Sequence, residues 1–195
     1  GKIGKVKFMR AAFGYNAPYS EPLSPIYLPE HAGGAVYDVG VYCIDAALDF
    51  FEPAKVTDIK GLADISPSGV DSVGSYIIKF SNGGIASLAS AISCQLENDC
   101  VIYGEKGKIK LYPEFYAPAK AELWIKEQLI ETEETNTPSG FEFEIAHTID
   151  CIRAGKVVSE RMGPEVTLEC CGIFEELMDQ GFYHQDILIR NTKED

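Results

Sequence analysis

The sequence predicts an α+β fold, with an open, mainly antiparallel β-sheet and helices packed on one of its faces. The middle of the chain consists of short β-branched or small-apolar runs separated by turn residues, which is typical of antiparallel strands. The last third has the apolar spacing of helices. With 195 residues, 46% of them hydrophobic and 24% charged, the chain is long enough for one domain with a buried core. We therefore expect residues 1–195 to form a single domain.

The predicted strands begin near the N-terminus and dominate the middle of the chain. The first run, residues 3–13, alternates between apolar and polar side chains, and a proline-rich loop over residues 18–29 follows it. Asn82-Gly83 stands between two later runs and is a strong hairpin signal, and a second turn is predicted at residues 104–107. The sheet is expected to contain about six to eight strands. They cover residues 3–13, 56–65, 70–80, 85–95, 100–103, 108–112, 122–126 and 128–131.

Three helices are predicted, each with one apolar face. The first covers residues 35–51, where Gly33-Gly34 lets the chain enter the helix in close packing and Pro53 ends it. The second covers residues 141–154 and the third residues 164–180, the third between a proline and a glycine. We expect both to bury their apolar stripes against the core. These stripes are Phe143, Ala146, Ile149 and Ile152 in the second helix and Val166, Cys170, Ile173 and Leu177 in the third.

The charge of the chain argues against several classes of partner. The 30 acidic residues against 17 basic ones give a formal net charge of −13, which repels polyphosphates and anionic lipid. We therefore expect no nucleic acid and no membrane partner. The sequence has no apolar run of the ~18 residues that a bilayer span requires. Its first ten residues have no signal-peptide core, so we expect a cytoplasmic protein.

Cysteine and histidine usage argues against disulfides and metal. The six cysteines contain no CxxC pair and mostly stand in apolar stretches, where a reduced thiol packs as a small hydrophobe. The three histidines are far apart and lack the spacing of zinc ligands, so no metal site is expected. His147 stands among apolar helix residues and is interpreted as a core histidine with a hydrogen-bond partner.

One predicted strand indicates association. From Gly83 to Gln95 there is no charged residue, so neither face of this strand is suited to water. The three helices can cover one face of the sheet. The other face is expected to be a weakly polar patch on which another subunit or domain packs, and the alternative is a loop that folds over the sheet.

The first helix carries a polar stripe beside its apolar one. On a helix, Asp38, Tyr42, Asp45 and Asp49 fall at i, i+4, i+7 and i+11. One interpretation is a solvated acidic face with a half-buried tyrosine. The other is a general acid/base tyrosine at a cleft, with Asp38 binding a substrate hydroxyl. A phenol with a pKa of ~10 is only about 0.1% ionised at neutral pH, so this role requires a nearby cation.

The same segment, AGGAVYDVGVYCID at residues 32–45, resembles the signature GGGxxxDxGxHxxD of the C-terminal domain of the Gfo/Idh/MocA oxidoreductases. This is the glucose-fructose oxidoreductase and inositol dehydrogenase family. Where most of the family has histidine, this chain has Tyr42, as do the dimeric dihydrodiol dehydrogenases and glucose-fructose oxidoreductase. Residues 6–14 (VKFMRAAFG) and 94–98 (CQLEN) look most like the dihydrodiol dehydrogenase branch. The likeness continues through residues 70–72, 80–84, 103–107 and 149–156 and so spans nearly the whole chain.

The resemblance implies a two-domain enzyme whose subunits join through the open sheet as a dimer or tetramer. It implies that Tyr42 is the acid/base for the substrate hydroxyl and that Asp38 helps to bind it. Arg10 and Asp45 are further candidates for substrate binding. For Arg10, contact with the opposite subunit and an ordinary strand-end ion pair are the alternatives. The implied substrate is a sugar, polyol or cyclic diol.

The resemblance also implies NAD or NADP, bound mainly by an N-terminal nucleotide-binding Rossmann domain. This chain opens at Gly1 and shows neither the family's EKP-type lysine motif nor a strand–GxGxxG–helix unit. We therefore expect the Rossmann domain to be absent from this chain, and the chain alone to be inactive. The alternative is a stand-alone, non-catalytic module that binds a sugar or a protein and dimerises through its sheet.

Overall fold

The computed structural model of the protein describes residues 1–135 and 139–183, and in this part of the chain it forms the predicted α+β fold. One sheet of eight strands carries the helices. The strands are β1 (Val6–Gly14), β2 (Val56–Ile65), β3 (Asp71–Phe80), β4 (Ile85–Ala91), β5 (Cys100–Gly104), β6 (Gly107–Leu111), β7 (Lys120–Ile125) and β8 (Gln128–Glu134). The α-helices are α1 (Val41–Phe51), α2 (Phe141–Arg153) and α3 (Pro164–Leu177).

The strand order across the sheet is β2-β3-β4-β1-β5-β6-β7-β8. Every neighbouring pair is antiparallel except β1 and β4, which run parallel at the centre. Both predicted hairpin turns are confirmed. At the first, the Asn82 side chain accepts a hydrogen bond from the Gly84 N–H at 2.9 Å, and Gly83 takes a φ of 83°. Such a positive φ is the reason that a glycine is favoured there.

β4 is shorter than the sequence predicts. It ends at Ala91 rather than Gln95, because the backbone beyond it leaves the sheet. The Ile92 N–H then bonds the Ser72 carbonyl at 2.9 Å, and the Gln95 amide donates to the Gly14 carbonyl at 3.0 Å. The uncharged residues beyond β4 therefore cross beside the end of β1, with Ile92 buried and Ser93, Cys94 and Gln95 exposed.

Helices cover one face of the sheet, as predicted. α1 packs on β1 and β4, and α3 packs on β2. Alternation along the strands sends every second side chain to this face, where it is buried against the helices. The core contains Met9, Tyr76, Ile78, Phe80, Leu88 and Ile102 from the sheet and Cys43, Ile44, Phe51, Ile173, Leu177 and Phe182 from the helical side. The predicted burial of the α3 stripe is thereby confirmed for Cys170, Ile173 and Leu177.

The predicted burial of α2 is wrong. Phe143, Ala146, Ile149 and Ile152 are exposed, and α2 has no buried residue. His147 is half-buried and bonds Ser159 rather than lying in the core. Apolar periodicity shows that a helix has one face to cover, but it does not show that the described residues cover it.

The opposite face of the sheet is open and partly apolar. Strand register places Ile77 opposite Ser87, and Phe8 opposite Ile85, on the face turned away from α1. Large apolar side chains are exposed there, namely Phe8, Leu62, Ile77 and Ile85. A surface of this kind is typical of a docking site.

Gly61 of β2 packs closely against Phe182 and Leu177, so a substitution there tests how tightly the sheet and the helical side fit together. A Cβ added at Gly61 of β2 would lie 2.7 Å from Cε2 of Phe182 and 2.9 Å from Cδ2 of Leu177. We expect Gly61→Ala to lower the free energy of unfolding by about 1–3 kcal/mol, because the core must shift to admit the methyl group. Denaturant titration measures this change.

Gly172→Ala is the matched control. Gly172 lies within α3, and an added Cβ there meets no atom within 4 Å. The same methyl group should therefore stabilise the protein by about 0.5–1 kcal/mol through helix propensity. Equal destabilisation by both substitutions would contradict the packing explanation.

Candidate active site

The site begins at a change of helix type. Residues Val36–Gly40 form a π-helical turn that leads directly into α1. Asp38 lies on this turn and Tyr42 follows one turn later, in the first turn of α1. The four residues of the predicted polar stripe therefore stand on one continuous helical segment, with Asp38 on its opening π-turn, a feature that is frequent at functional sites.

Tyr42 belongs to an aromatic cluster at the end of β1. Its ring centroid lies 5.3 Å from that of Phe13 and 5.4 Å from that of Tyr116. Tyr116 in turn stacks on Phe13 at 4.6 Å, and its hydroxyl donates a hydrogen bond to Glu114. Tyr42 keeps 43% of its surface exposed. The cluster thus fixes the Tyr42 ring while leaving it accessible to a ligand.

Asp38 is held by a residue that the sequence did not point to. The Tyr15 hydroxyl donates a hydrogen bond of 2.6 Å to Oδ2 of Asp38. Burial raises the pKa of Tyr15, and the hydrogen bond to the Asp38 carboxylate raises it further. Tyr15 is therefore a permanent donor at neutral pH, and it orients Asp38.

An acidic cleft of about 1070 Å³ opens beside this cluster. Tyr42 and Tyr116 line one part of it, together with Asp45 and Asp49 of α1. Burial raises the pKa of Asp45, and the neighbouring charge of Asp49 adds to the effect. The acidic side chains in the lining are Asp45, Asp49, Glu52, Glu144, Glu160, Glu165 and Glu169, and the basic ones are Lys55 and Arg161.

The structure does not bring Arg10 to this site. Arg10 pairs in register with Ser87 and Val101 on the open face of the sheet, whereas Tyr42 lies on the helical face. Its guanidinium binds Oδ2 of Asp99 at 2.7 Å, and the Asp99 side chain is only 2% exposed. Arg10 therefore forms an ion pair, which is one of the alternative roles that the sequence left for it.

A buried carboxylate fixes the start of the π-turn. Oδ2 of Asp71 accepts a hydrogen bond from the Val36 N–H at 2.8 Å, and Asp71 is 1% exposed. Burial raises the pKa of Asp71 to about 7, although hydrogen bonds from backbone N–H groups, led by that of Val36, oppose the rise. Gly34 makes room for this contact, because a Cβ there would lie 2.2 Å from Oδ1 of Asp71. The close packing predicted at the glycine pair is confirmed.

Two general properties of the described residues bear on function. In residues 1–135 and 139–183, no three His, Cys, Asp or Glu side chains are grouped as they would be around a metal ion. Over the same ranges, no helix combines the length and the apolar character needed to cross a bilayer.

Sequence comparison identifies relatives of the whole described fold. A family model of the GFO/IDH/MocA C-terminal domain matches residues 1–110. The trans-1,2-dihydrobenzene-1,2-diol dehydrogenase of Xenopus tropicalis is 28% identical over 184 residues, covering 91% of this chain and 55% of that protein. Its counterpart in Danio rerio is 27% identical over 185 residues, covering 91% and 54%. The chain thus spans about half the length of these relatives.

Solved structures share the fold at lower identity. Aldose-aldose oxidoreductase from Caulobacter crescentus, complexed with glycerol, matches with a TM-score of 0.78 and 19% identity. The match covers 92% of this chain and 54% of that one. KijD10, a 3-ketoreductase from Actinomadura kijaniata in complex with NADP and TDP-benzene, matches with a TM-score of 0.71 and 20% identity, covering 87% and 52%.

The fold is therefore an α+β domain with an open sheet and helices on one face. It matches about half of each of these longer oxidoreductase chains. The family follows from the match over residues 1–110: this chain belongs to the Gfo/Idh/MocA family, as its C-terminal domain. The resemblance found in the sequence is thereby confirmed, including its dihydrodiol dehydrogenase character.

Proposed function

We propose that this chain is the substrate-binding and oligomerisation domain of an NAD(P)-dependent oxidoreductase that acts on CH–OH groups of a sugar, polyol or cyclic diol. One observation carries the proposal. Tyr42 lies accessible at the edge of a cleft, one helical turn after an aspartate that Tyr15 holds in place. The names of the relatives, which are diol dehydrogenases and sugar oxidoreductases, agree with this class of reaction.

The proposed chemistry assigns one role to each side chain. The Tyr42 oxygen takes the proton of the substrate hydroxyl as the alcohol is oxidised, and returns it in the reverse direction. One oxygen of Asp38 is held by Tyr15, and its carboxylate accepts a hydrogen bond from a substrate hydroxyl. Asp45, partly buried in the cleft wall, supplies a second acceptor for a polyhydroxyl ligand.

The lining of the cleft does not fit the phosphates of a dinucleotide. Seven carboxylates and two cationic side chains line the cleft, and a pyrophosphate requires backbone N–H groups or cations. A nicotinamide that accepts the hydride would therefore be bound mainly by an N-terminal Rossmann domain. That domain would also supply the cation that Tyr42 needs, so residues 1–195 alone would be inactive.

The same carboxylates favour an uncharged substrate, because they repel phosphate groups. The test is an assay of the full-length protein that follows reduction of NAD and NADP by absorbance. We expect turnover of trans-1,2-dihydrobenzene-1,2-diol or of a free aldose, with kcat/KM at least about tenfold lower for the corresponding sugar phosphate. Residues 1–195 alone should show no turnover. Nicotinamide-dependent turnover by this fragment, or none by the full-length protein, would overturn the proposal.

The open face of the sheet supports a homo-oligomer, a dimer or tetramer. It presents Phe8, Leu62, Ile77 and Ile85 to solvent. We expect Ile77→Glu to reduce the mass measured by sedimentation to that of the monomer, because a buried unpaired carboxylate opposes association.

Ile152→Glu is the matched control for this face. Ile152 is exposed on α2, away from the open face of the sheet. It should leave the oligomer intact. Dissociation by Ile152→Glu but not by Ile77→Glu would move the interface to α2.

A further inference from the structure

The second helix carries an apolar face that the described part of the chain leaves exposed. Helical spacing places four large apolar side chains of α2 on one side of the helix. Each has between 41% and 70% of its surface exposed, and none of the 13 residues of α2 is buried. The four residues that form this α2 face are Phe141, Ile145, Ile149 and Ile152.

A helix of this length requires packing on another part of the protein. Isolated helices shorter than ~12–15 residues are marginal in water, and most helical stability in proteins comes from packing of an apolar face. α3 is similar in length, with 14 residues, and it buries Cys170, Ile173 and Leu177 in the core. Within residues 1–135 and 139–183, α2 buries no residue in this way. We therefore expect the α2 face to be covered in the full-length protein.

The position of the α2 face restricts what can cover it. Phe141 belongs to this face and also lines the cleft, together with Glu144 and Tyr42. A nicotinamide has to come into contact with a substrate at Tyr42, so the domain that binds the nicotinamide lies over this cleft and beside α2. A second copy of the chain is assigned to the open face of the sheet, which is turned away from α1. The two surfaces therefore take different occupants.

Chain length and charge indicate the same occupant for the α2 face. The match to the Xenopus tropicalis relative covers only 55% of that protein, and the matching family model is that of a C-terminal domain. The remainder of such a protein therefore lies mainly before the matched part. The cleft beside α2 has seven carboxylates and two cationic side chains in its lining. This charge favours an occupant with cationic side chains at the cleft.

We propose that the α2 face is the docking surface of the nucleotide-binding domain that precedes residue 1 in the full-length protein. That domain presents an apolar surface to the α2 face, and cationic side chains to the carboxylates at the adjoining edge of the cleft, among them Glu144. The inference rests on the proposed function in requiring that such a domain precedes residue 1. Docking on α2 holds that domain over Tyr42.

Photo-cross-linking in the full-length protein identifies the occupant. Phe141 and Phe143 are exposed to a similar extent, 61% and 63%, but they lie on opposite sides of α2. Each is replaced in turn by p-benzoylphenylalanine, which keeps the phenyl ring, and the cross-linked peptides are identified by mass spectrometry. We expect position 141, but not position 143, to cross-link to peptides that precede residue 1. Cross-links from position 141 that involve only peptides of residues 1–195 would overturn the proposal.

Thiol labelling measures the burial of the same face. Ile152→Cys and Leu168→Cys each place a thiol at a position whose side chain is 70% exposed, the first on the α2 face and the second on α3. Full-length variants are treated with N-ethylmaleimide at pH 7, and each cysteine is quantified by peptide mass spectrometry. We expect Ile152→Cys to react at least about tenfold more slowly, because its thiol reacts only when the docked domain opens. Buried Cys43 and Cys100 report folding, because they stay unmodified in a folded variant.

The outcomes of the labelling separate the possible occupants. Equal rates in folded variants would overturn the proposal. Protection of Ile152→Cys that is lost when Ile77→Glu separates the oligomer would also overturn it, because a second copy would then cover α2. Neither readout depends on turnover. A protected Ile152→Cys in a protein without dehydrogenase activity would contradict the proposed function alone, whereas turnover with equal labelling rates would contradict the docking surface alone.

Discussion

Tyr42→Phe in the full-length protein should lower kcat by roughly 10²–10⁴-fold, the usual effect of losing a general acid/base group. The substitution removes one oxygen and keeps the ring that packs against Phe13 and Tyr116. Substrate binding should therefore change little, so that KM stays within a small factor while kcat falls. Steady-state kinetics with each nicotinamide cofactor measures both constants.

Tyr116→Phe is the matched control for this experiment. It deletes the same hydroxyl from a neighbouring ring of the cluster, but that hydroxyl is bonded to Glu114. We expect a change in kcat of at most a few fold. A Tyr42→Phe variant with normal turnover would remove the role proposed for Tyr42. Equal losses in both variants would show that the Tyr42 hydroxyl has no role that the Tyr116 hydroxyl lacks, which also contradicts the acid/base assignment.

The arrangement of the fold could be predicted because it depends on local signals. Asn82-Gly83 and residues 104–107 are turns by their chemistry, and the sheet followed from them. The alignment of Tyr42 with Asp45 could also be predicted, since the spacing of side chains on an α-helix is fixed, whereas the π-turn that carries Asp38 could not. Strand order could not be predicted in this way, because the parallel pairing of β1 and β4 joins segments far apart in sequence.

What the sequence did not reveal involves contacts between distant residues. Tyr15 gave no signal, because its bond to Asp38 crosses from the end of β1 to the π-turn. The sequence could not place Arg10 on the open face, because a strand sequence does not say which of its faces the helices will cover. The exposure of α2 has the same origin: periodicity marks an apolar face, whereas burial depends on what lies opposite.

Asp71→Asn should remove a loss of unfolding free energy that the wild type suffers between pH 4 and pH 7. In the folded protein, burial raises the pKa of Asp71 from its ordinary value of 3.8 to about 7. Below pH 4 the group is protonated in both states. As the pH rises toward 7, the unfolded chain releases this proton while the folded protein keeps it, so the wild type loses stability. Above pH 7 both states are ionised, and the full cost of burying the charge remains.

The size of this effect follows from the pKa difference. About three pH units at about 1.4 kcal/mol each give about 4 kcal/mol. The difference in unfolding free energy between Asp71→Asn and wild type should grow by this amount in favour of the variant from pH 4 to pH 7, as measured by urea titration. Asn keeps an acceptor for the Val36 N–H, so the start of the π-turn stays capped.

Asp64→Asn controls for the general loss of one negative charge from an acidic protein. Asp64 lies on the neighbouring strand β2, is exposed, and accepts a hydrogen bond from Ser72. Its replacement removes the same charge without changing a buried carboxylate, so the pH-dependent gain should be absent. If both variants gain equally, net charge explains the effect. If neither gains, ionisation of Asp71 does not destabilise the folded protein as the pH rises. The Asp71 carboxylate then holds the start of the π-turn without an energetic penalty at neutral pH.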